Sequence, residues 1–266
     1  MSIKLISSRE NPQYKLLRKL ADSAQARKKN RQTLLDGIHL CQAWLEHKGA
    51  PTLCVLGESA LPLPEVADIV ADCESRQVPC LLLPDSLFAP LSQVEHGVAL
   101  LFLVGMPEAL ASVKLTQNAV LLDQLQDPGN LGSILRSAAA AGIKQVFCSS
   151  GSVLAWSPKV LRAGMGAHFV LEIVENVDLQ ALITDSAIPV LATSSHAQAS
   201  IYAADLTQPL AWLFGHEGQG VSEDLLALAR LRVAIPHLGQ IESLNVAACA
   251  AVCLFEQMRQ RLVAQP

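Results

Sequence analysis

Apolar residues in this chain fall into short blocks, and the spacing inside the blocks alternates between helical and extended. Residues 11–20 and 22–30 carry helix-like spacing, and residues 33–35 read as a strand that leads through Gly37 into a helix over residues 38–47. Runs at 53–56, 80–83 and 98–104 alternate with a helical segment at 65–76, which predicts a small α/β domain. Met106, Pro107 and a polar stretch to Asn118 predict a linker. The expected layout is therefore a first domain over 1–106, a linker over 107–118 and a second domain over 119–266.

The second domain repeats the alternation more regularly. Strand AVLLDQL, loop QDPGN, a helix over 131–141 and strand QVFCS come first, then a helix opened by Ser157 and Pro158 and strand FVLEIV. A helix near 178–185 leads to strands IPVLA and AWLFG, a helix over 222–229, strand RVAIP, and a closing helix from Ser243 to about Leu262. Regular alternation of this kind predicts a parallel sheet with helices on both faces. In such sheets ligands gather at the carboxyl ends of the strands, which singles out the loops after Leu125, Ala192, Gly215 and Pro236.

Composition narrows the picture. With 51% hydrophobic and 17% charged residues the chain lies far from the composition of disordered proteins. Its longest apolar run, 246–255, is about half of what a membrane-spanning helix needs. The first residues are polar and charged, without an apolar signal core, and the seven cysteines are scattered and never form C-x-x-C. These features predict a cytoplasmic, reduced protein with neither a membrane segment nor a metal site. Net charge is −4, but residues 1–31 carry +7 and the remainder −11. A basic edge on an acidic body concentrates a polyanion there, and Arg9, Lys15, Arg18, Lys19, Arg27, Lys28, Lys29 and Arg31 are the candidate phosphate contacts. The competing reading is a solvated helix face.

Several chemistries are excluded by spelling. There is no GxxxxGK[ST], no GxSxG, and His216-Glu217 is not followed by the second His of a zinc-protease motif. GHEGQG spaces its glycines wrongly for a dinucleotide fingerprint. Three loops remain in which a strand ends, glycines and a polar residue follow, and a helix begins. In DPGNLGSILR, Asn130 is expected to cap the helix and Arg136 to project on the face of Gly132. In LFGHEGQG, three glycines bracket Glu217, a composition that favours positive φ or close approach to a ligand. In IPHLGQIESLNVAACAAVCLFE, Ser243 is the expected N-cap, with the free N–H groups at Ser243-Leu244-Asn245 available to a ligand acceptor. The next ten residues have no polar face, so the first half of this helix must be covered on all sides, within the subunit or by another. His168, His196 and His216 lie near these segments and read as structural or surface histidines.

Residues 119–259 closely resemble the SpoU (TrmH-like) branch of the SPOUT superfamily, RNA ribose methyltransferases that use S-adenosylmethionine. The three motifs appear in order as DPGNLGSILRSA, LFGHEGQG and IPHLGQIESLNVA, with SPKVLRAGMGAHF between the first two. The resemblance implies a trefoil knot at the C-terminal end of the sheet, formed by the last two motifs and holding the cofactor bent. The N-terminal part is similar to the small α/β substrate-binding domain carried by rRNA-directed members, a fold shared with certain ribosomal proteins. Backbone groups around Thr193, Gly215, Ile235 and Leu244 would hold the cofactor. Asn130, Arg136, Glu217, Ser243 and Asn245 fall on catalytic and substrate-handling positions, and a homodimer with composite active sites is implied. His237, Ala247 and Phe255 depart from the common Met, Ser and Tyr of those positions.

A sulfonium methyl donor is already an activated electrophile, so this chemistry calls for alignment of a ribose 2′-hydroxyl and removal of one proton, without a metal or a covalent nucleophile. The family account would make Arg136 the base. A guanidinium keeps its proton, which instead suits an arginine here to clamping an RNA phosphate and stabilising the developing alkoxide. The expected activity is 2′-O-ribose methylation of RNA, of the 23S rRNA type rather than tRNA, since tRNA members usually carry only short extensions. A non-catalytic RNA-binding or ribosome-assembly protein on the same fold, or a tRNA 2′-O-methyltransferase, is the alternative, and methylation of a base ring atom is disfavoured by the motif spelling. Removing residues 1–31 is expected to spare cofactor binding and weaken RNA binding.

Overall fold

The computed structural model describes residues 3–94, 96–108 and 114–264. Its elements, in chain order, begin with β1 (Lys4–Leu5), α1 (Pro12–Asp22), α2 (Ala24–Asn30), β2 (Gln32–Asp36), α3 (Ile38–His47) and β3 (Leu53–Gly57). They continue with α4 (Pro64–Ser75), β4 (Cys80–Leu83), the short α5 (Asp85–Phe88) and β5 (Leu100–Gly105). The chain divides into two compact units, residues 1–108 with 156–169, and residues 109–155 with 170–266. Within the expected linker, residues 109–113 lie outside the described residues.

The first unit is built on a five-stranded mixed sheet in the order β1-β4-β3-β5-β2. β1, β4 and β3 run parallel, and β5 runs antiparallel to both β3 and β2. α1 starts at Pro12 with the Asn11 side chain accepting the Gln13 N–H at 2.9 Å. It buries Tyr14, Leu17, Leu20 and Ala21 against Leu34, Val55 and Leu81 of the sheet. The basic segment is therefore partly core.

The second unit comprises β6 (Ala119–Leu122), α6 (Pro128–Ala140), β7 (Gln145–Ser149), β8 (Glu172–Val177), α8 (Leu179–Thr184), β9 (Val190–Thr193) and β10 (Ala199–Ser200). β11 (Ala211–Phe214), α9 (Glu223–Leu228), β12 (Leu231–Ala234) and α10 (Val246–Ala264) complete it. The intervening α7 (Pro158–Gly164), which begins after Ser157 as expected, belongs to the first unit, so the contiguous second domain expected over 119–266 is interrupted there. All strand pairings in the second sheet are parallel, in the order β10-β12-β9-β11-β6-β7-β8.

Both faces of this sheet are apolar, as parallel strands require. Leu121, Phe147, Ala192 and Leu213 face α8 and α9 through Leu179, Leu182, Ile183, Leu225 and Leu226. On β11 the alternate residue Trp212 donates its indole N–H to Gln257 Oε1 on α10 at 2.9 Å. Gln257 in turn donates to Asn118 Oδ1 at 3.1 Å, which pins the closing helix beside the start of β6.

Three local expectations are corrected. The helix after the first loop starts at Pro128, and its cap is Asp127, whose Oδ1 accepts the Asn130 N–H at 2.8 Å. Asn130 is therefore not the cap. Likewise Ser243 does not cap the closing helix; Asn245 does, its Oδ1 accepting the Ala247 and Ala248 N–H groups at 2.9 and 3.3 Å. The strand expected as FVLEIV begins only at Glu172, because Ala167–Phe169 forms a 3₁₀ turn and Phe169 packs edge-on against Trp44 in the first unit at 5.3 Å.

Candidate functional site

The ends of β9, β11 and β12 open into a cleft of about 780 Å³, within the range of small-molecule sites. Thr193, Gly215, Ile235 and Leu244, the four expected cofactor positions, all line it, as do Glu217 and Ser243. Three of the four loops singled out by the strand-end rule thus meet here. The fourth, after Leu125, joins through hydrogen bonds.

Glu217 makes that junction. Its carboxylate accepts the Gln126 N–H at 3.1 Å, the Asp127 N–H at 2.9 Å and the Asn130 Nδ2–H at 3.1 Å. The Asn130 Oδ1 then accepts from Asn245 Nδ2 at 2.9 Å. With Asp127 taking over the helix cap, the Asn130 side chain is left to bridge the second and third motifs. Partial burial raises the carboxyl pKa of Glu217, but the hydrogen bonds from Asp127, Asn130 and Gln126 outweigh it and hold the group below the ordinary glutamate value.

The turn that carries Glu217 has little freedom. The His216 N–H donates to Gly220 O at 2.9 Å and the Gly220 N–H returns to His216 O at 2.8 Å. A Cβ on Gly215 would come within 2.0 Å of the Gly220 carbonyl carbon, so that position admits only glycine. Gly220 has φ +73°, the left-handed region that favours glycine. Positive φ occurs at Gly220 as expected, while the close approach that Gly215 permits is that of the turn's own backbone.

Arg136 is exposed on α6, is not among the cleft residues, and makes no hydrogen bond or ion pair among the described residues. The structure thus joins Asn130, Glu217 and Asn245, places Ser243 in the cleft wall, and leaves the Arg136 guanidinium available to a ligand. Three lining residues are carboxylates, Glu217, Glu223 and Glu242, and none is Lys or Arg. That donor set suits a cationic ligand. Among the described residues no group of three or more His, Cys, Asp or Glu is placed to hold a metal ion, and no helix is long and apolar enough to cross a membrane.

The basic residues separate into classes. Arg27 is buried, 6% exposed, and donates to the carbonyls of Leu20 and Ala21 at 2.6 and 3.1 Å. Burial lowers its pKa, against the opposing charge of Asp22. It braces the end of α1 and is removed from the expected RNA contacts. Lys15 pairs with Glu10, Arg18 with Asp22, and Arg31 donates to Pro107 O at 2.6 Å. Arg9, Lys19, Lys28 and Lys29 are exposed, with no partner among the described residues.

Residues that sequence reasoning passed over include Gln126 and Asp127, whose N–H groups hold Glu217, while His216, expected as a structural or surface histidine, lines the cleft. Of these only Asp127 carried a local signal, an Asp directly before Pro at a helix start.

A seven-stranded parallel sheet with a carboxylate-lined cleft at its strand ends, walled by the loops after β9, β11 and β12 and tied by hydrogen bonds to the loop after β6, defines an α/β small-molecule-binding enzyme domain. Residues 117–255 match the SpoU rRNA Methylase family, and the chain belongs to that family. It is 29% identical to the 23S rRNA (guanosine(2553)-2'-O)-methyltransferase RlmP of Bacillus subtilis, over 95% of this chain and 98% of that one. A crystal structure of an RNA 2'-O ribose methyltransferase superposes with a TM-score of 0.83 at 31% identity, covering 97% of this chain and 99% of its own. An AdoMet-bound rRNA methyltransferase from Sinorhizobium meliloti shares the fold, with a TM-score of 0.84 at 24% identity over 97% and 98% of the two chains.

Proposed function

We propose that this protein is an S-adenosylmethionine-dependent methyltransferase acting on a ribose 2′-hydroxyl of rRNA. The observation that carries the reading is the Glu217–Asn130–Asn245 chain of hydrogen bonds, which ties all three family motifs together at the rim of a cleft lined by carboxylates. Such a cleft fits a cationic donor, which when bound supplies a methyl group on an activated sulfonium.

The residues divide the work. Thr193, Gly215, Ile235 and Leu244 hold the donor at the strand ends, with Ser243 in the same wall. Glu217, Asn130 and Asn245 lock the loops and orient the ribose. Arg136, exposed and unpartnered among the described residues, clamps a neighbouring phosphate and stabilises charge developing on the 2′-oxygen. Arg9, Lys19, Lys28 and Lys29 of the first unit add sequence-independent attraction to RNA, giving that unit the substrate-binding role.

Strand order supports a knotted C-terminal region. β12 lies outside β9, yet α10 returns to pack on β11 and α6, the path that threading of the last two motifs requires. A homodimer through α10 is supported by Ala248, Phe255 and Leu262, exposed at every seventh position, with Ala251 and Met258 half-buried between them. The helix, whose first half is expected to be covered on all sides, is uncovered along this stripe within one subunit.

The test is to incubate the protein with methyl-labelled S-adenosylmethionine and total RNA, then digest to nucleosides. Label on 2′-O-methylated ribose derived from rRNA is the expected result. Label on a base ring, label in tRNA alone, or no label would refute the reading.

A further inference from the structure

We infer that His216 is a positioning residue for this reaction, its imidazole holding the 216–220 turn in the shape that presents Glu217. The inference rests on the methyltransferase reading above.

The ring nitrogen Nδ1 of His216 lies 2.9 Å from the Gly218 nitrogen and 3.3 Å from the Gln219 nitrogen. Both backbone groups are donors, so Nδ1 is the acceptor and the ring proton sits on Nε2. This is the bonding pattern by which an Asn or Asp side chain caps the backbone two and three residues ahead. Here an imidazole fills the inside of the turn.

Without that acceptor the turn has little else to fix it. Gly218 and Gly220 lose more freedom on ordering than any other residue type, and Gly218, Gln219 and Gly220 are exposed. The two backbone bonds between His216 and Gly220 close the ends but leave the middle open. Glu217 sits in that middle. Its bonds to Gln126, Asp127 and Asn130 require it to enter the adjacent loop at one angle. Gly215, whose missing Cβ is what admits the Gly220 backbone, transmits any movement of the turn directly to the end of β11. His216 itself lines the cleft, so a change in the turn changes the cofactor wall as well.

The experiment therefore compares the full-length wild type with His216→Ala and His216→Asn. Amide exchange at Gly218 and Gln219 is followed by ¹⁵N NMR, S-adenosylmethionine affinity by calorimetry, and turnover on rRNA by methyl transfer, all at neutral pH. In His216→Ala both amides exchange faster, and affinity and kcat each fall about tenfold, as expected for two lost hydrogen bonds of typical net strength. In His216→Asn, whose side-chain oxygen accepts the same two bonds, most of each loss is recovered. Exchange in His216→Ala equal to wild type, or His216→Asn as impaired as His216→Ala, overturns the inference. Should His216→Ala fail the check of a cooperative thermal melt, the wild-type and His216→Asn comparison decides. A wild type that binds no S-adenosylmethionine refutes the functional reading instead, and amide exchange still decides whether His216 holds the turn.

Discussion

Glu217 keeps its charge by accepting three hydrogen bonds from a loop about ninety residues away in sequence. Its folded-state pKa is depressed, so the ionised form contributes stability that is present above the unfolded-state value and is lost as pH falls through the folded one. Glu217→Gln is expected to flatten that acid limb in a series of thermal melts, and to lower turnover at neutral pH by removing an acceptor from two backbone donors. An acid limb as steep in the mutant as in the wild type would assign the effect elsewhere. Arg136 behaves differently, having no partner to lose among the described residues. Arg136→Lys should reduce kcat about a hundredfold, the scale of one lost transition-state donor, while RNA affinity drops less than about tenfold because a charge remains for the phosphate. Near-normal turnover in single-turnover assays would remove the arginine from the chemistry.

At the scale of elements, helix starts do much of the positioning. Asp127 caps α6 and Asn245 caps α10, and in each case the cap brings a neighbouring side chain or its own amide to the junction with Glu217. α1 has a double part. Its apolar face belongs to the core of the first unit, so removing residues 1–31 would expose Leu34, Val55 and Leu81 and unfold the unit rather than test RNA binding. Charge reversal at Lys19, Lys28 and Lys29 with Arg9 is the informative change. S-adenosylmethionine affinity should stay the same, RNA affinity should fall, and the dependence of log affinity on log salt should become shallower by about 0.7 to 0.9 for each phosphate that is no longer neutralised. An unchanged slope in filter-binding titrations would exclude these residues from the RNA-binding surface. Arg27 is left out of that variant because its guanidinium is committed to the carbonyls that end α1.

For the whole molecule, the exposed stripe on α10 decides whether one chain is sufficient. Phe255 is 42% and Leu262 61% exposed, on a helix whose other side is pinned by Trp212 and Asn118. Phe255→Glu is expected to weaken self-association by about 2 kcal/mol or more, as for a central aromatic anchor, and to convert a dimer to monomer in sedimentation velocity at micromolar concentration. A wild type that remains monomeric would require another cover for this face.

The chain order of strands and helices, the all-apolar strands of a two-sided sheet, and the loops that bear the site follow from spacing and turn chemistry over windows of five to fifteen residues. These are local signals, and a helix such as Ile38–His47 or a strand such as Gln145–Ser149 needs nothing else to be placed. Packing decided the rest. Where β8 begins was settled by Trp44, far along the chain, and the burial of Arg27 by packing of α1 on the sheet, whereas the choice of helix cap turned on single local hydrogen bonds such as that of Asp127 three residues ahead. Above all, Asn130, Glu217 and Asn245 meet only because β11 inserts between β9 and β6 and α10 returns over them. Local spacing carries no information about that ordering; it depends on burial of the whole sheet, which only the folded chain provides.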